Sequence, residues 1–161
     1  INPEIKIKSF KKKLNKLKIK KIIKNFDIIA DGSDNFKTRY LLNDYCFKNK
    51  KILVVGAISK FEGHIYTFNF TKKNKSPCLR CFMPQMPIDQ ENDCENEGVI
   101  GTLAGMIGTI QANEIVKEIL NIGKSLCGYI LMIDSLRLNF RKVKLNKNLK
   151  CQNNDKHCIY F

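Results

Sequence analysis

The sequence predicts an α/β fold in which a mainly parallel sheet continues into antiparallel strands. In the first third of the chain, short apolar runs alternate with helix-like stretches, the β-α-β-α-β order of a parallel sheet. From residue 62 the pattern changes to a two-residue alternation, which is typical of antiparallel strands. A chain of 161 residues is long enough for a real core, so we predict one domain over residues 1–161.

Five elements are predicted in the first third. Residues 4–10 alternate loosely between isoleucine and lysine and predict a strand, and residues 11–25 carry apolar side chains along one helical side. Residues 27–31 predict a short buried strand, as do residues 51–57, KILVVGA. Between them, residues 35–48 predict a helix with large side chains able to face the sheet: Phe36, Tyr40, Leu41 and Phe47.

The middle of the chain combines a strand with a long loop. Residues 62–71, EGHIYTFNFT, predict an antiparallel strand. Residues 72–97 hold three cysteines and three prolines and predict a loop, and irregular loops of this length are usually functional or disordered.

One long helix is predicted over residues 100–122. Its apolar opening half predicts deep burial at a subunit interface, where another backbone could approach its glycines closely: Gly101, Gly105 and Gly108. Gly123 is the predicted end cap. Residues 129–134 and 136–145 predict two further strands, and residues 146–161 form a polar tail.

The net charge of +14 invites a nucleic-acid interpretation, which the composition disfavours. Lysine supplies 25 of the 29 basic residues and asparagine occurs 17 times, whereas arginine, the usual base reader, occurs four times. We therefore expect no nucleic-acid partner and interpret residues 6–24 as a solvated basic face, with a phosphate-binding patch as the alternative. No run reaches the roughly 18–20 apolar residues of a membrane span, so we expect no membrane partner.

The cysteines predict a metal site in a cytoplasmic protein. Seven cysteines, without a secretory signal, fit reduced thiols better than a disulfide framework. Cys78 and Cys81 form a C-x-x-C pair that suits half of a zinc site or a redox dithiol. Cys151 and Cys158 supply a second pair, which favours a tetrahedral all-thiolate zinc site, with His157 as an alternative ligand and metal-free thiols as the competing interpretation.

Another cysteine, Cys94, is a candidate nucleophile in the loop before the long helix. Asp93 and Glu95 flank it and would raise its pKa, which disfavours an activated thiolate unless the helix start or a partner offsets them. Cys46 and Cys127 are interpreted as small apolar residues.

Polar side chains follow the strand at residues 27–31, where ligands bind in open α/β sheets. Carboxylate and amide oxygens suit Mg²⁺ and arginine suits a phosphate, and all three types occur here: Asp31, Asp34, Asn35 and Arg39. The competing interpretation is an ordinary helix N-cap.

The motifs occur along the chain in a fixed order: D-G-S-D-N-F-x-x-R-Y-x-x-N-D, then G-A-x-x-x-x-E-G-x-I, C-x-R-C and C-E-x-E-G-V-x-G-x-x-x-G-x-I-G-T-I-Q-A-x-E-x-x-K, closing with F-R-x-V-K-L. Together they resemble those of the ThiF/MoeB/HesA family of E1-like enzymes, which adenylate sulfur-carrier proteins. The resemblance covers almost the whole chain and implies a Rossmann-like E1 activating-enzyme fold. It implies residues 72–97 as the crossover loop and residues 146–161 as a zinc-binding tail.

By this resemblance, the chain uses ATP to adenylate the C-terminal glycine of a ubiquitin-like carrier ending in Gly-Gly. It implies Asp34 as the Mg²⁺/ATP carboxylate, Asn35 and Arg39 as its neighbours at the nucleotide, and Cys94 as a thiol acceptor in some members. The implied Zn²⁺ ligands are Cys78, Cys81 and Cys151, with Cys158 reaching back as the fourth because Asn154 stands at the family's usual spacing. A homodimer is also expected.

The sequence departs from the family by lacking its N-terminal G-x-G-x-x-G nucleotide loop. We therefore expect an N-terminally incomplete fold, the C-terminal two-thirds of the family's, that is inactive or weak alone. The alternative function is a truncated homologue acting as a carrier-binding or dimerisation module. Whether the carrier is ThiS-like, for thiamine, or MoaD-like, for molybdopterin, stays open.

Overall fold

A computed structural model describes residues 2–71, 76–87, 98–148 and 151. It contains one sheet with the strand order β1-β2-β3-β4-β5: β1 Ile28–Asp31, β2 Ile52–Ser59, β3 Glu62–Asn69, β4 Tyr129–Asp134 and β5 Asn139–Lys144. The helices of the described ranges are α1 Lys16–Ile23, α2 Phe36–Lys48, α3 Leu79–Phe82 and α4 Gly101–Leu120. None of these helices is long and apolar enough to span a bilayer.

The predicted mixed α/β fold is confirmed, with the change in strand direction at β2. β1 pairs parallel with β2, in the register Ile28 to Ile52, and the crossover between them is α2. β2 pairs antiparallel with β3, and the remaining pairs are antiparallel hairpin or long-range pairs. Five consecutive buried residues at the start of β2 fit a strand covered on both faces.

The prediction of a strand at residues 4–10 is wrong, and the helix predicted at residues 11–25 is shorter in the structure than predicted. Residues 4–10 form no strand, and Ile5 and Ile7 are exposed. An Ile-Lys alternation arises easily in a lysine-rich segment, but a strand also needs a partner for its backbone groups. Helix α1 begins only at Lys16, after Asn15 accepts a capping hydrogen bond from the Lys18 N–H.

The sheet separates two apolar cores. Alternate residues of β3 belong to different clusters, Tyr66 and Phe68 to one and Ile65 to the other. The first core also contains the buried apolar residues of α1, α2 and α3, and the second contains Leu103 and Ile107 of α4. The four side chains of α2 that were predicted to face the sheet all belong to the first core or pack against it.

Close approach of α4 to the sheet depends on glycines in the strands. A Cβ on Gly63 would lie 2.4 Å from Cδ1 of Ile107, and one on Gly56 would lie 3.1 Å from Oε1 of Gln111. The helix glycines singled out by the sequence are instead exposed, with no heavy atom of the described residues within 4 Å of an added Cβ: Gly101, Gly105 and Gly108. Their predicted deep burial is not found among the residues that the structure describes.

The end of α4, the start of β5 and the segment after β3 differ from the prediction. Asn121, not Gly123, is the C-cap of α4 and has the left-handed conformation that asparagine tolerates. Strand β5 begins at Asn139 instead of residue 136, because residues 135–138 form the turn after β4. Helix α3 lies inside the segment that was predicted to be a loop.

Candidate functional site

The turn after β1 is held by contacts among its own side chains. The buried Asp31 accepts hydrogen bonds at Oδ1 from the Ser33 N–H (2.9 Å) and from the Ser33 hydroxyl (2.7 Å). Nη2 of Arg39 donates to the Ser33 carbonyl (2.7 Å), and its Nε lies 3.4 Å from Oδ2 of Asp31. The turn is therefore fixed before any ligand binds.

Asn35 caps the start of α2, and the preceding residue, Asp34, is exposed to solvent. Oδ1 of Asn35 accepts from the Thr38 N–H at 2.8 Å, so Asn35 is the N-cap, and its Nδ2 donates to Oδ1 of Asp34 at 3.0 Å. The pKa of Asp34 is lowered from 3.8, first by the hydrogen bond from Asn35. Its carboxylate is thus ionised at neutral pH and accessible, a donor set that fits Mg²⁺.

A glutamine of α4 connects that helix to the sheet beside the start of the turn. Nε2 of Gln111 donates to the carbonyls of Asp31 (2.9 Å) and Val54 (3.0 Å), on the adjacent strands β1 and β2. Sequence reasoning missed Gln111, because it is one of several polar residues of this helix and nothing in the sequence indicates which of them faces the sheet. This contact positions the last residue of β1 relative to α4.

Arg39 lies deeper than its predicted phosphate role suggests. It is 8% exposed, and its contacts with Ser33 and Asp31 bind it into the turn. These contacts support a role in shaping the turn. Binding of a phosphate by Arg39 stays a prediction.

Three cysteines meet at a second site. Sγ of Cys78 lies 3.7 Å from Sγ of Cys81 and 3.8 Å from Sγ of Cys151. A tetrahedral zinc with Zn–S bonds of about 2.3 Å places its sulfurs about 3.8 Å apart, so the three thiols fit a metal. All three sulfurs lie within 4.8 Å of one another. The predicted first pair and the first tail cysteine are therefore brought together.

Without a metal, the thiol of Cys81 is protonated at neutral pH. The hydrogen bond with Cys78, followed by burial, raises the pKa of the Cys81 thiol. A bound metal would reverse this, because a coordinated sulfur is a thiolate. Elsewhere, Cys46 is fully buried in the core, and burial raises its pKa to about 12, which agrees with its interpretation as an apolar residue.

Other predicted site residues lie outside the described ranges, namely Cys94, Cys158 and His157. Their roles stay predictions. The residues of the turn after β1 and the three cysteines are connected by α2, whose first turn carries the cap and whose later turns contact the segment around Cys78.

Those later contacts come from residues that sequence reasoning missed: Asn43, Asp44 and Arg80. All three are buried polar side chains. One signal existed, because all three stand in the motifs quoted for the family resemblance, Asn43 and Asp44 at the end of the first and Arg80 between the paired cysteines. Their partners follow only from the three-dimensional structure.

Comparison with known proteins gives consistent results. The sequence model of the ThiF family matches residues 1–153. The chain is 35% identical over 154 residues to a sulfur carrier protein adenylyltransferase of Thermus thermophilus, covering 94% of this chain and 57% of that protein. It is 42% identical over 147 residues to a probable molybdopterin-synthase adenylyltransferase of Pyropia yezoensis, covering 90% of this chain and 38% of that protein.

A solved structure with a similar fold is that of Escherichia coli MccB with ATP. The TM-score is 0.65 at 13% sequence identity, and the match covers 84% of this chain and 42% of that chain. At this identity the likeness concerns the fold alone. The chain spans about half the length, or less, of these similar proteins.

Proposed function

This chain belongs to the ThiF family, and from that premise we propose that it serves ATP-dependent adenylation of a ubiquitin-like sulfur-carrier protein. The acceptor is the C-terminal glycine carboxylate of a carrier ending in Gly-Gly, in molybdopterin or thiamine biosynthesis. The observation that carries the proposal is the accessible, ionised Asp34 beside the N-cap Asn35, at the carboxyl end of β1. The similarity to a sulfur carrier protein adenylyltransferase and to a probable molybdopterin-synthase adenylyltransferase supports the substrate class.

In the proposed reaction, an oxygen of the carrier's carboxylate attacks the α-phosphorus of ATP. A new P–O bond forms, the bond to the β-phosphate oxygen breaks, and pyrophosphate leaves with the electron pair. Bound Mg²⁺ would neutralise charge between these anionic reactants. Within this chain, Asp34 would hold the ion, while Asn35 orients Asp34 and Arg39 keeps the preceding turn in place.

The cysteine cluster has a structural role in this proposal. Cys78, Cys81 and Cys151 would hold Zn²⁺, with Cys158 as the predicted fourth ligand. Two observations support a structural role for the metal: the sulfur–sulfur distances suit Zn²⁺, and the ligands come from segments 73 residues apart, which the metal would link. Cys94 remains the predicted thiol acceptor, and a homodimer remains the predicted assembly.

The test is ATP–pyrophosphate exchange by the full protein with a Gly-Gly-ending carrier. Asp34→Ala should reduce exchange by about 100-fold or more, since it removes the carboxylate proposed to hold the metal–nucleotide complex. The matched control is Asp27→Ala, another exposed carboxylate, at the other end of β1, which should leave exchange unchanged. Equal exchange by the Asp34→Ala variant and the unaltered protein would disprove the site assignment.

The same assay separates the two carriers. Exchange stimulated by a MoaD-like but not a ThiS-like carrier would place the protein in molybdopterin biosynthesis, and the reverse would place it in thiamine biosynthesis. Carrier binding without exchange would favour the alternative, a carrier-binding module. Metal analysis should find about one zinc per chain.

A further inference from the structure

Helix α2 holds the segment around Cys78 and Cys81 at three successive points. Oδ1 of Asn43 accepts from the Leu79 N–H at 2.9 Å, inside the pair. Asp44 accepts two parallel hydrogen bonds from Arg80, Oδ1 from Nε at 2.8 Å and Oδ2 from Nη2 at 2.7 Å. After the pair, the Tyr40 hydroxyl donates to the Met83 carbonyl at 2.7 Å.

These contacts form one connected polar network in the protein interior. Asn43 is fully buried, and Asp44 and Arg80 are 3% and 8% exposed. Nδ2 of Asn43 donates to Oδ1 of Asp44 at 3.0 Å, which fixes the amide orientation that the Leu79 contact needs. The guanidinium of Arg80 also lies 4.7 Å from the ring centre of Tyr40.

Stability alone does not account for an ion pair placed here. Burying two charges costs desolvation energy that their attraction barely offsets, and well-packed apolar residues often serve the fold equally well. A bidentate arginine–carboxylate pair does supply fixed direction. Here that direction is imposed on the two residues between the metal-fitting cysteines.

We propose that Asn43, Asp44 and Arg80 are positioning residues that preorganise Cys78 and Cys81 for a metal ion. The inference rests on the proposed metal binding by these cysteines. Helix α3 has four residues, too few to be stable by itself, so its shape must come from outside. With α2 supplying that shape, the metal need not order the segment on binding, which raises its affinity and lengthens its residence.

The test measures Co²⁺ binding to the full protein, using the thiolate-to-cobalt charge-transfer band and competition with a chromophoric chelator. The key variant is Asp44→Leu/Arg80→Met, which exchanges the ion pair for apolar side chains and is expected to preserve folding. Its Co²⁺ affinity should fall about 10–100-fold. Arg80→Lys keeps the positive charge but cannot make the bidentate hydrogen bond to Asp44, so its loss of Co²⁺ affinity should be smaller.

The matched control is Arg137→Met, at the exposed ion pair between Arg137 and Asp134, which should not change Co²⁺ affinity. Unaltered affinity in the double variant would overturn the positioning role while leaving the metal site intact. If the double variant does not fold, Arg80→Lys decides in the same way. A full protein that shows no thiolate-to-cobalt band would instead overturn the metal site, and the positioning role with it.

Discussion

At the start of α2, Asn35 has two functions that a single amide can combine. Its oxygen caps the helix through the Thr38 N–H, and its nitrogen donates to Asp34. The first contact stabilises the fold, and the second lowers the pKa of the proposed metal-binding carboxylate. A substitution at this one residue should therefore change both properties.

We predict that Asn35→Ala lowers the free energy of unfolding by about 1 kcal/mol, through loss of the cap. It should also raise the pKa of Asp34 toward its ordinary value of 3.8, since the principal cause of the lowering is removed. Chemical denaturation measures the first effect, and NMR titration of the Asp34 carboxyl measures the second.

The pH dependence has a defined sign. A carboxyl whose pKa is lower in the folded state stabilises the fold above its unfolded pKa, and this contribution is lost as the pH falls through the folded value. The stability difference between Asn35→Ala and the unaltered protein should therefore narrow below about pH 3.8. Asn15→Ala, at the cap of α1, is the control that should weaken the fold but leave the Asp34 pKa unchanged.

At the residue scale, the sequence could not predict the partners of the buried polar residues. The turn at Asp34 could be located, because its residues are contiguous and follow a strand. The sequence did not assign the cap, since Asp34 and Asn35 are equally good cap residues. The partnership of Asp44 with Arg80 joins positions 36 residues apart, a separation across which no local pattern extends.

Among the elements, α4 is positioned by the absence of side chains at Gly56 and Gly63. We predict that Gly63→Ala lowers the free energy of unfolding by about 1–3 kcal/mol, because the new methyl group would overlap the buried Ile107. Thermal or chemical denaturation measures the change. Combining it with Ile107→Val, which removes the Cδ1 atom in closest contact, should recover part of the loss.

The control for this prediction is Gly105→Ala, on the exposed side of the same helix. Nothing in the described residues lies within 4 Å of its added Cβ, so the single chain should gain about 0.5–1 kcal/mol from the better helix former. A Gly63→Ala variant as stable as the unaltered protein would contradict the packing described for α4.

Element prediction succeeded where the pattern reflects burial. The apolar run of β2 and the alternation of β3 end within two residues of their predicted limits, because both strands lie in the centre of the sheet. It failed at residues 4–10, where alternation in a lysine-rich segment has no neighbouring strand. The strand glycines could not be recognised in advance, because their importance depends on which helix crosses them.

For the whole molecule, the cysteine cluster joins a segment after β3 to one after β5. If it holds zinc, a chelator should lower the melting temperature by about 5–10 °C, the loss expected when a ligand present at about 100 times its dissociation constant is removed. Differential scanning calorimetry with and without chelator measures the shift. In Cys78→Ser/Cys81→Ser, the chelator should cause no further change, and an unshifted unaltered protein would argue against a structural metal.

At the same scale, the sequence predicted the fold class correctly but overestimated the number of parallel strand pairs in the sheet. Its changes of pattern located the transition from parallel to antiparallel pairing at β2. The described sheet nevertheless has one parallel pair, because the first predicted strand does not form. Three of the four thiols predicted to meet, Cys78, Cys81 and Cys151, lie together, and the predicted place of Cys158 stays a prediction. Only folding brings Cys151 to Cys78.

Helix α2 also sets the distance and the rotation between the residues that contact the turn after β1 and those that contact the cysteine segment. Arg39 and Asn43, like Tyr40 and Asp44, are four residues apart, so contacts with the turn and with the cysteine segment succeed each other along one side of the helix. Adding one residue between Arg39 and Asn43 would rotate all later side chains by about 100° and advance them by about 1.5 Å. The exposed residues of α2 could therefore be exchanged without moving these contacts, whereas a change in its residue count would displace the later contacts relative to the earlier ones.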